Sequence, residues 1–326
     1  MQALLVETLS PDLSGVRLAD LPHPERRPGE VLVRIKAASL NFPDLLMTRG
    51  EYQFKPPVPF VSGLEFAGEV VAADAASGFA PGDLVMGGQK TAAFAEMAAV
   101  PASALRLVPP GLDCATAAAL GAAYTTAYTA LVELGGLQSG QWVLIHGATG
   151  GVGLAAADLA KALGAKVIAA TGTADKLDAL QAACRPDATL LASGRFRDQV
   201  AEITGGQLCD LVCDPVGGDI FDESTRCVAF GGKLLVVGFA GGRIPEISVN
   251  IPLIKGFSVV GVRAGEYARR FPERGRAIQD AVRALLASGK LHPHIDRTLP
   301  LSRWREAFDA MAGRQIVGKV VLLPGS

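Results

Sequence analysis

The chain has 326 residues, 49% of them hydrophobic, with 31 Lys and Arg against 32 Asp and Glu for a net charge of −1. At about 150 residues per domain this is a chain of roughly two domains, with enough apolar surface to fold without disulfides or a structural metal, so disorder is excluded as its theme. Near-neutral charge with no basic stripe also excludes the phosphate attraction on which nucleic-acid binders rely, and points to small-molecule partners.

The opening MQALLVETLS lacks the basic region and long apolar run of a secretory signal. Later Ala-, Val- and Leu-rich segments, such as Ala115 to Ala123, break before the roughly 20 apolar residues of a membrane span. A cytoplasmic protein with no membrane partner is therefore expected. From Met1 to about Val108 short strands alternate with turns. In EVLVRIKAASL the residues Val31, Val33 and Ile35 share one face and Leu32, Arg34 and Lys36 the other, which is a strand with one buried side. LEFAGEVVAA predicts another strand, and Pro81, Gly82 and Asp83 a tight turn after it. This part reads as a β-rich barrel.

Beyond Ala115 the pattern changes to Ala- and Leu-rich helices alternating with the short buried strands WVLIHG, AKVIAAT, CDLVCD, GGKLLVVG and FSVVGV, which predicts a parallel sheet with crossover helices. Pro272 to Leu286 reads as a surface helix, with Ile278, Val282, Leu285 and Leu286 at helical spacing. A helix at Trp304 to Met311 and the strand GKVVLLP follow, and this tail is expected to return to the first domain. The five cysteines, Cys114, Cys184, Cys209, Cys213 and Cys227, lack paired secretory spacing and read as reduced thiols. Cys209 and Cys213 on one strand would stand about 13 Å apart, beyond disulfide reach.

The strongest chemical signal is QWVLIHGATGGVGLAAADLAKALG, Gln141 to Gly164, where a strand runs into a glycine loop and then a helix with Val152, Ala155, Ala156, Leu159 and Leu163 facing inward. The three places of the dinucleotide fingerprint fall on Ala148, Gly150 and Gly153: a tight turn, a side-chain-free approach for the pyrophosphate, and close packing of helix on strand. Backbone N–H groups of Gly151 and Val152 at the helix start would face the pyrophosphate. About 20 residues on, where NAD sites carry an acidic residue for the ribose, the sequence is AATGTADK. Ala170 and Thr171 offer no carboxylate, whereas Gly172, Thr173 and Lys176 suit a 2′-phosphate, so NADPH is the expected cofactor. Asp175 is the dissenting residue, because a loop shifted by a few positions would bring its carboxylate to the ribose.

In order and spacing, LNFPDLLMTRGEYQFKPPVPFVSGLEFAGEV, PGDLVMG, YTTAYTAL, HGATGGVG, CDPVGG, GGKLLVVGFAGG and IVGKVVL resemble the zinc-independent quinone oxidoreductases, the zeta-crystallin-like branch of the medium-chain dehydrogenase/reductase superfamily. The resemblance covers essentially the whole chain. It implies an α/β protein in which a Rossmann-type doubly wound parallel-sheet domain, residues 121–262, is inserted into a GroES-like β-barrel catalytic domain, residues 1–120 plus 263–326, with the active site in the cleft. Zinc alcohol dehydrogenases of this superfamily carry a Cys where this chain has Asn41 and a His where it has Leu64, and no Cys occurs between Met1 and Asp113. An amide and an aliphatic side chain are not zinc ligands, so no metal is expected and reduction of an activated acceptor is favoured over alcohol oxidation.

By position, the resemblance implies catalytic roles for Asn41, Asp44 and Tyr52: Asn41 hydrogen-bonding an acceptor oxygen and Tyr52 donating a hydrogen bond or proton. Asp44 equally suits the cap of a following helix, and Tyr52 the packing of a loop. Cofactor contacts are implied for Phe42, Leu46, Thr126, Gly238, Phe239, Arg263 and Arg314, with His146 a further neighbour, although a strand-end histidine is more often structural. Leu46 departs from the tyrosine of some relatives, and Ala192 and Ser193 stand near the place of another. Arg263, where relatives often have an aromatic residue, would attract a carboxylate or phosphate on the substrate, unless it is a surface arginine. The implied activity is NADPH-dependent reduction of quinones. Enoyl reduction on unsaturated carbonyls or acrylyl thioesters is the alternative, and an NADPH-binding protein without turnover the reading from another class. The resemblance also implies a homodimer paired along sheet edges, with GGRIPEISVN as the candidate edge.

Overall fold

The computed structural model describes residues 1–325. Its strands are β1 (Gln2–Val6), β2 (Val16–Asp20), β3 (Glu30–Ser39), β4 (Phe60–Val61), β5 (Glu65–Ala72), β6 (Leu84–Gly88), β7 (Met97–Pro101), β8 (Leu105–Leu107), β9 (Trp142–Ile145), β10 (Lys166–Thr171), β11 (Ala188–Leu191), β12 (Cys209–Asp214), β13 (Val228–Val236), β14 (Ser258–Gly261), β15 (Ile295–Pro300) and β16 (Lys319–Leu323). Its α-helices are α1 (Phe42–Arg49), α2 (Cys114–Tyr128), α3 (Gly151–Ala162), α4 (Leu177–Cys184), α5 (Arg197–Ile203), α6 (Gly218–Ser224), α7 (Asn250–Lys255), α8 (Ala264–Arg270), α9 (Pro272–Ala287) and α10 (Trp304–Ala312). Two compact units form, Met1–Ala122 together with the chain from Ile295 on, and Ala123–His294.

The first unit is the β-rich part. Strands β15-β16-β3-β5-β6-β8, with β7 paired to Glu30–Arg34 of β3, make a seven-stranded sheet, and β2-β1-β4 a smaller antiparallel one. The alternation read in β3 holds: Val31, Val33 and Ile35 are buried, Arg34 and Lys36 exposed. They join Leu4, Phe66, Phe94, Phe308 and Leu322 in one apolar core, so the C-terminal helix α10 and strand β16 belong to this unit, as the sequence leads one to expect. In the β5–β6 turn Gly82 has φ +92°, and the Asp83 carboxylate accepts the Ala80 N–H at 2.8 Å.

The second unit carries a six-stranded sheet in the order β11-β10-β9-β12-β13-β14, parallel throughout. Numbered within the unit this is 3-2-1-4-5-6, the doubly wound dinucleotide-binding order, whose switch point lies between β9 and β12. Cys209 and Cys213 both lie in β12, fully buried as free thiols. Helix α3 differs from the amphipathic helix expected, because every residue from Gly153 to Ala160 is buried. Its outer face is covered too: buried Asp158 accepts the Tyr124 hydroxyl at 2.6 Å and the His292 N–H at 2.7 Å.

The same contact helps to explain a shifted boundary. Residues 263–294, expected with the barrel, cluster with the parallel sheet. Helices α8 and α9 follow β14 directly, Tyr267 of α8 donates to Glu133 at 3.0 Å, and His292 is tied to α3. The stretch GGRIPEISVN also differs from expectation, since it forms no strand: Gly242 takes φ +97° and Pro245 has no N–H to pair. The sheet ends instead at β14. Among the described residues no helix is long and apolar enough to cross a membrane.

Candidate functional site

In the second unit the expected cofactor residues gather at the carboxyl ends of parallel strands, where ligands bind doubly wound sheets. Ala148, Gly150, Gly151, Val152 and Gly153 follow β9; Gly172, Thr173 and Lys176 follow β10; Gly238 and Phe239 follow β13; Arg263 follows β14. The loop after β9 is shaped by glycines. A Cβ on Gly153 would lie 2.2 Å from the Gly147 carbonyl oxygen, so only glycine lets α3 sit this close to the strand. A Cβ on Gly150 would meet the same oxygen at 3.3 Å. The turn itself is made by Gly147 at φ +54°, one place before the position assigned from the sequence. Ala148 is buried and donates its N–H to the Ala170 carbonyl, tying the loop to β10. Helix α3 begins at Gly151 with Gly150 as its cap residue, and its first N–H groups have no carbonyl partner within the helix. These features fit a pyrophosphate.

Beside this loop, β12 ends in buried Asp214, whose Oδ1 accepts the N–H groups of Val216 and Gly217 at 2.8 and 2.9 Å. Its Oδ2 has no hydrogen-bond partner among the described residues, and burial pushes this carboxyl above its usual range. At the end of β10, Thr171 is buried, Gly172 and Thr173 are exposed, and Lys176 is half-buried in a short 3-10 turn, Ala174–Lys176. Asp175 is exposed in the same turn, four residues past the strand. Phe239 and Arg263 are exposed, Gly238 and Thr126 half-buried.

His146 is a structural residue of this unit. It is 1% exposed, tilted against Phe196 at 5.3 Å between ring centres, and hydrogen-bonded to Ser224 at 2.8 Å. Because the Ser224 hydroxyl gives its proton to the Ile220 carbonyl, the His146 Nε2–H is the donor in that pair. Burial holds its ring at about 3, well below the histidine range.

In the first unit, Asn41, Phe42, Asp44, Leu46 and Tyr52 lie on one short run, the cap, body and exit of α1. The expectation that Asn41 offers its amide to a substrate oxygen meets a different geometry. Both Nδ2 hydrogens are donated within the protein, to Ser39 O at 3.2 Å and Glu65 Oε1 at 2.8 Å. Its Oδ1 accepts from the Lys319 ammonium at 2.6 Å. Asp44 is also withdrawn from any substrate: it is 0% exposed, and its Oδ2 accepts the Asn41 N–H at 2.8 Å, the helix-cap alternative. Burial, only partly offset by that N–H and by Lys319, pushes the Asp44 carboxyl up to about 8. Tyr52 is half-buried against the apolar core, and its hydroxyl bonds to no other described residue. Phe42 is 39% exposed and Leu46 half-buried. Arg314 sits exposed on the loop before β16 at φ +55°.

Sequence reasoning missed the pair at the centre of this cluster, Glu65 and Lys319, which are 4% and 6% exposed and 3.0 Å apart. The one available signal was that both fall in stretches shared with the resembled family, GLEF and GKVVL.

Residues 27–110 match the alcohol dehydrogenase GroES-like domain family and residues 151–280 the zinc-binding dehydrogenase family. A quinone oxidoreductase-like protein 2 homolog of Nematostella vectensis is 37% identical over 298 residues, 90% of this chain and 81% of that protein. A probable oxidoreductase from Mycobacterium abscessus has a similar structure, with a TM-score of 0.90, 38% identity and 99% of each chain covered. A mycobacterial protein solved in complex with NADPH follows at a TM-score of 0.88 and 29% identity, covering 99% of this chain and 100% of that one.

Zinc does not fit the residues present. The Asn41 amide is committed on both sides, Leu64 is apolar, and a lysine ammonium already sits on the oxygens of Asn41 and Glu65. Among the described residues no group of three or more His, Cys, Asp or Glu is placed to hold a metal ion.

Proposed function

Because the chain belongs to the medium-chain dehydrogenase/reductase superfamily, among its quinone oxidoreductase-like members, we propose that it is an NADPH-dependent, metal-free reductase of quinones and related activated carbonyl acceptors. The observation that carries this reading is the glycine-shaped cradle at the switch point of the parallel sheet, beside a strand that ends at Thr171 and runs on into Gly172 and Thr173 instead of a carboxylate. The similar mycobacterial protein bound to NADPH supports the same choice of cofactor.

When bound, NADPH supplies the hydride. The chain's own residues bind, orient and protonate. The N–H groups of Gly151 and Val152 receive the pyrophosphate, and Thr173 and Lys176 the 2′-phosphate, for which an ammonium and a hydroxyl are suited donors. Gly238, Phe239, Arg263 and Thr126, all in the second unit, are the proposed contacts for the remainder of the cofactor. Phe42 and Leu46 supply apolar surface for a planar acceptor. Tyr52, whose hydroxyl bonds to no other described residue, is the proton donor to the reduced acceptor, directly or through water. Asn41 and Asp44 hold α1 in place.

We also propose a homodimer through the β14 edge of the sheet. Among the described residues this edge is unpaired, and the segments next to it in chain or sheet order carry exposed apolar side chains: Phe230 (88%) on β13, and Val249 (82%), Leu253 (80%) and Ile254 (75%) at α7. Such a patch on an open sheet edge calls for a covering partner.

The test of the activity is oxidation of NADPH and of NADH with 1,4-benzoquinone, an enone and an enoyl thioester in parallel. Turnover with NADPH and little with NADH is expected, with the quinone the best acceptor. A clear preference for the thioester would move the chain to the enoyl reductases. Tight NADPH binding with no turnover on any acceptor would sink the reductase reading.

A further inference from the structure

The buried cluster of the first unit has one member that reaches two helices. Glu65 Oε1 accepts from Asn41 Nδ2 at 2.8 Å and from Lys319 Nζ at 3.0 Å. Its Oε2 accepts the Ala122 N–H, in the middle of α2, at 2.7 Å. A mid-helix N–H ordinarily belongs to the carbonyl four residues earlier, so a side-chain carboxylate at this distance needs room against the helix. Gly121 gives that room: a Cβ there would lie 2.9 Å from Glu65 Oε2. The charge is balanced on the spot. Lys319 places its three hydrogens on Leu40 O at 3.1 Å, Asn41 Oδ1 at 2.6 Å and Glu65 Oε1 at 3.0 Å, a complete set for an ammonium. A buried carboxylate is stable only with such a partner.

We infer that Glu65, neutralised by Lys319, is a positioning residue for hydride transfer: one carboxylate fixes both the Asn41 start of α1 and the Ala122 turn of α2. The inference rests on the reductase reading above. Helix α1 leads from Asn41 through Phe42 and Leu46 to Tyr52, and on α2 Thr126 follows Ala122 by one turn. Each helix thus carries residues assigned above to the acceptor or to the cofactor. The cation at the centre of this cluster around Asn41 is the chain's own lysine.

The test uses Glu65→Gln, Gly121→Ala and the double variant Glu65→Gln with Lys319→Met on the full-length protein. Gly121→Ala leaves every polar partner in place and only pushes the carboxylate from the helix. Hydrogen exchange is read on peptides covering 41–49 and 118–126, and steady-state kinetics with NADPH and the best acceptor on the folded protein. The expected result is faster exchange in both segments together in every variant. kcat should fall on the order of 10- to 100-fold, the scale of an ångström-sized misplacement, with the KM for NADPH changed less than about threefold, since the cradle residues are untouched. A raised primary isotope effect with 4-deuterated NADPH would mark hydride transfer as the affected step. Exchange that rises in one segment only, or in both without any change in kcat, would overturn the inference. A wild-type protein inert with every acceptor would remove the reductase reading and the positioning role with it, while the exchange data would still decide whether Glu65 joins the two helices.

Discussion

Asp44 gives the most direct link between burial and a measurable pH dependence. Its carboxyl titrates at 3.8 in an unstructured chain and at about 8 in the fold, chiefly because it is wholly buried. Between those values the folded protein keeps a proton that the unfolded chain has released. Ionisation then favours the unfolded state, and stability falls as pH rises from about 4 to 8 and levels off above. At ~1.4 kcal/mol per pH unit, the effect reaches about 4 kcal/mol between pH 5 and pH 8. Asp44→Asn removes the titration and keeps an oxygen for the Asn41 N–H. Urea unfolding can be followed through Trp304, which packs on the core of the first unit, in a Trp142→Phe background that silences the other tryptophan. The variant should gain on the parent by about 4 kcal/mol from pH 5 to pH 8 and by little more above. A stability difference that stays constant across this range would refute the reasoning, since every other carboxylate is shared by the two proteins.

Three further outcomes follow from other sites. His146, held at about 3 against 6.5 when unfolded, stabilises the second unit fully above pH 6.5 and progressively less as pH falls towards 3. His146→Gln should therefore ease the acid-side loss by roughly 2–3 kcal/mol between pH 6.5 and 4.5, read by unfolding followed through Trp142. Gly153→Ala places a methyl 2.2 Å from the Gly147 carbonyl; α3 must move off the loop, at a cost of about 1–3 kcal/mol. NADPH affinity measured by calorimetry should drop at least ~10-fold (about 1.4 kcal/mol). Leu253→Asp sets a charge in the exposed apolar edge and should leave a monomer by light scattering, and an unchanged mass would remove the β14 edge as the dimer surface.

Features set by short-range pattern were legible from the amino-acid order alone. The alternation of β3, the strand-loop-helix at Gln141 to Gly164 and the parallel order of the second sheet all rest on periods of a few residues, and the structure reproduces them. What escaped depends on contacts across the chain. Glu65 and Lys319 are 254 positions apart, and neither carries a local sign of its partner. The even burial of α3 arises because Tyr124 and His292, remote in sequence, meet Asp158 on what would have been its solvent face. Residues 263–294 were expected with the barrel, yet the ties of Tyr267 to Glu133 and of His292 to Asp158 keep them with the parallel sheet. The glycine turn was located one position late because the fingerprint has Ala148 at its first place, while the positive φ is needed at Gly147. The role of Asn41 depends on where its two hydrogens go, which residue type alone does not specify.

The central claim is that NADPH drives reduction in this protein without a metal. The most direct test follows deuterium from 4-deuterated NADPH into the reduced enone, with and without prior treatment by a strong zinc chelator. The account predicts one deuterium on carbon per NADPH oxidised, at a rate the chelator leaves unchanged. Loss of transfer on chelation, restored by added zinc, would contradict it.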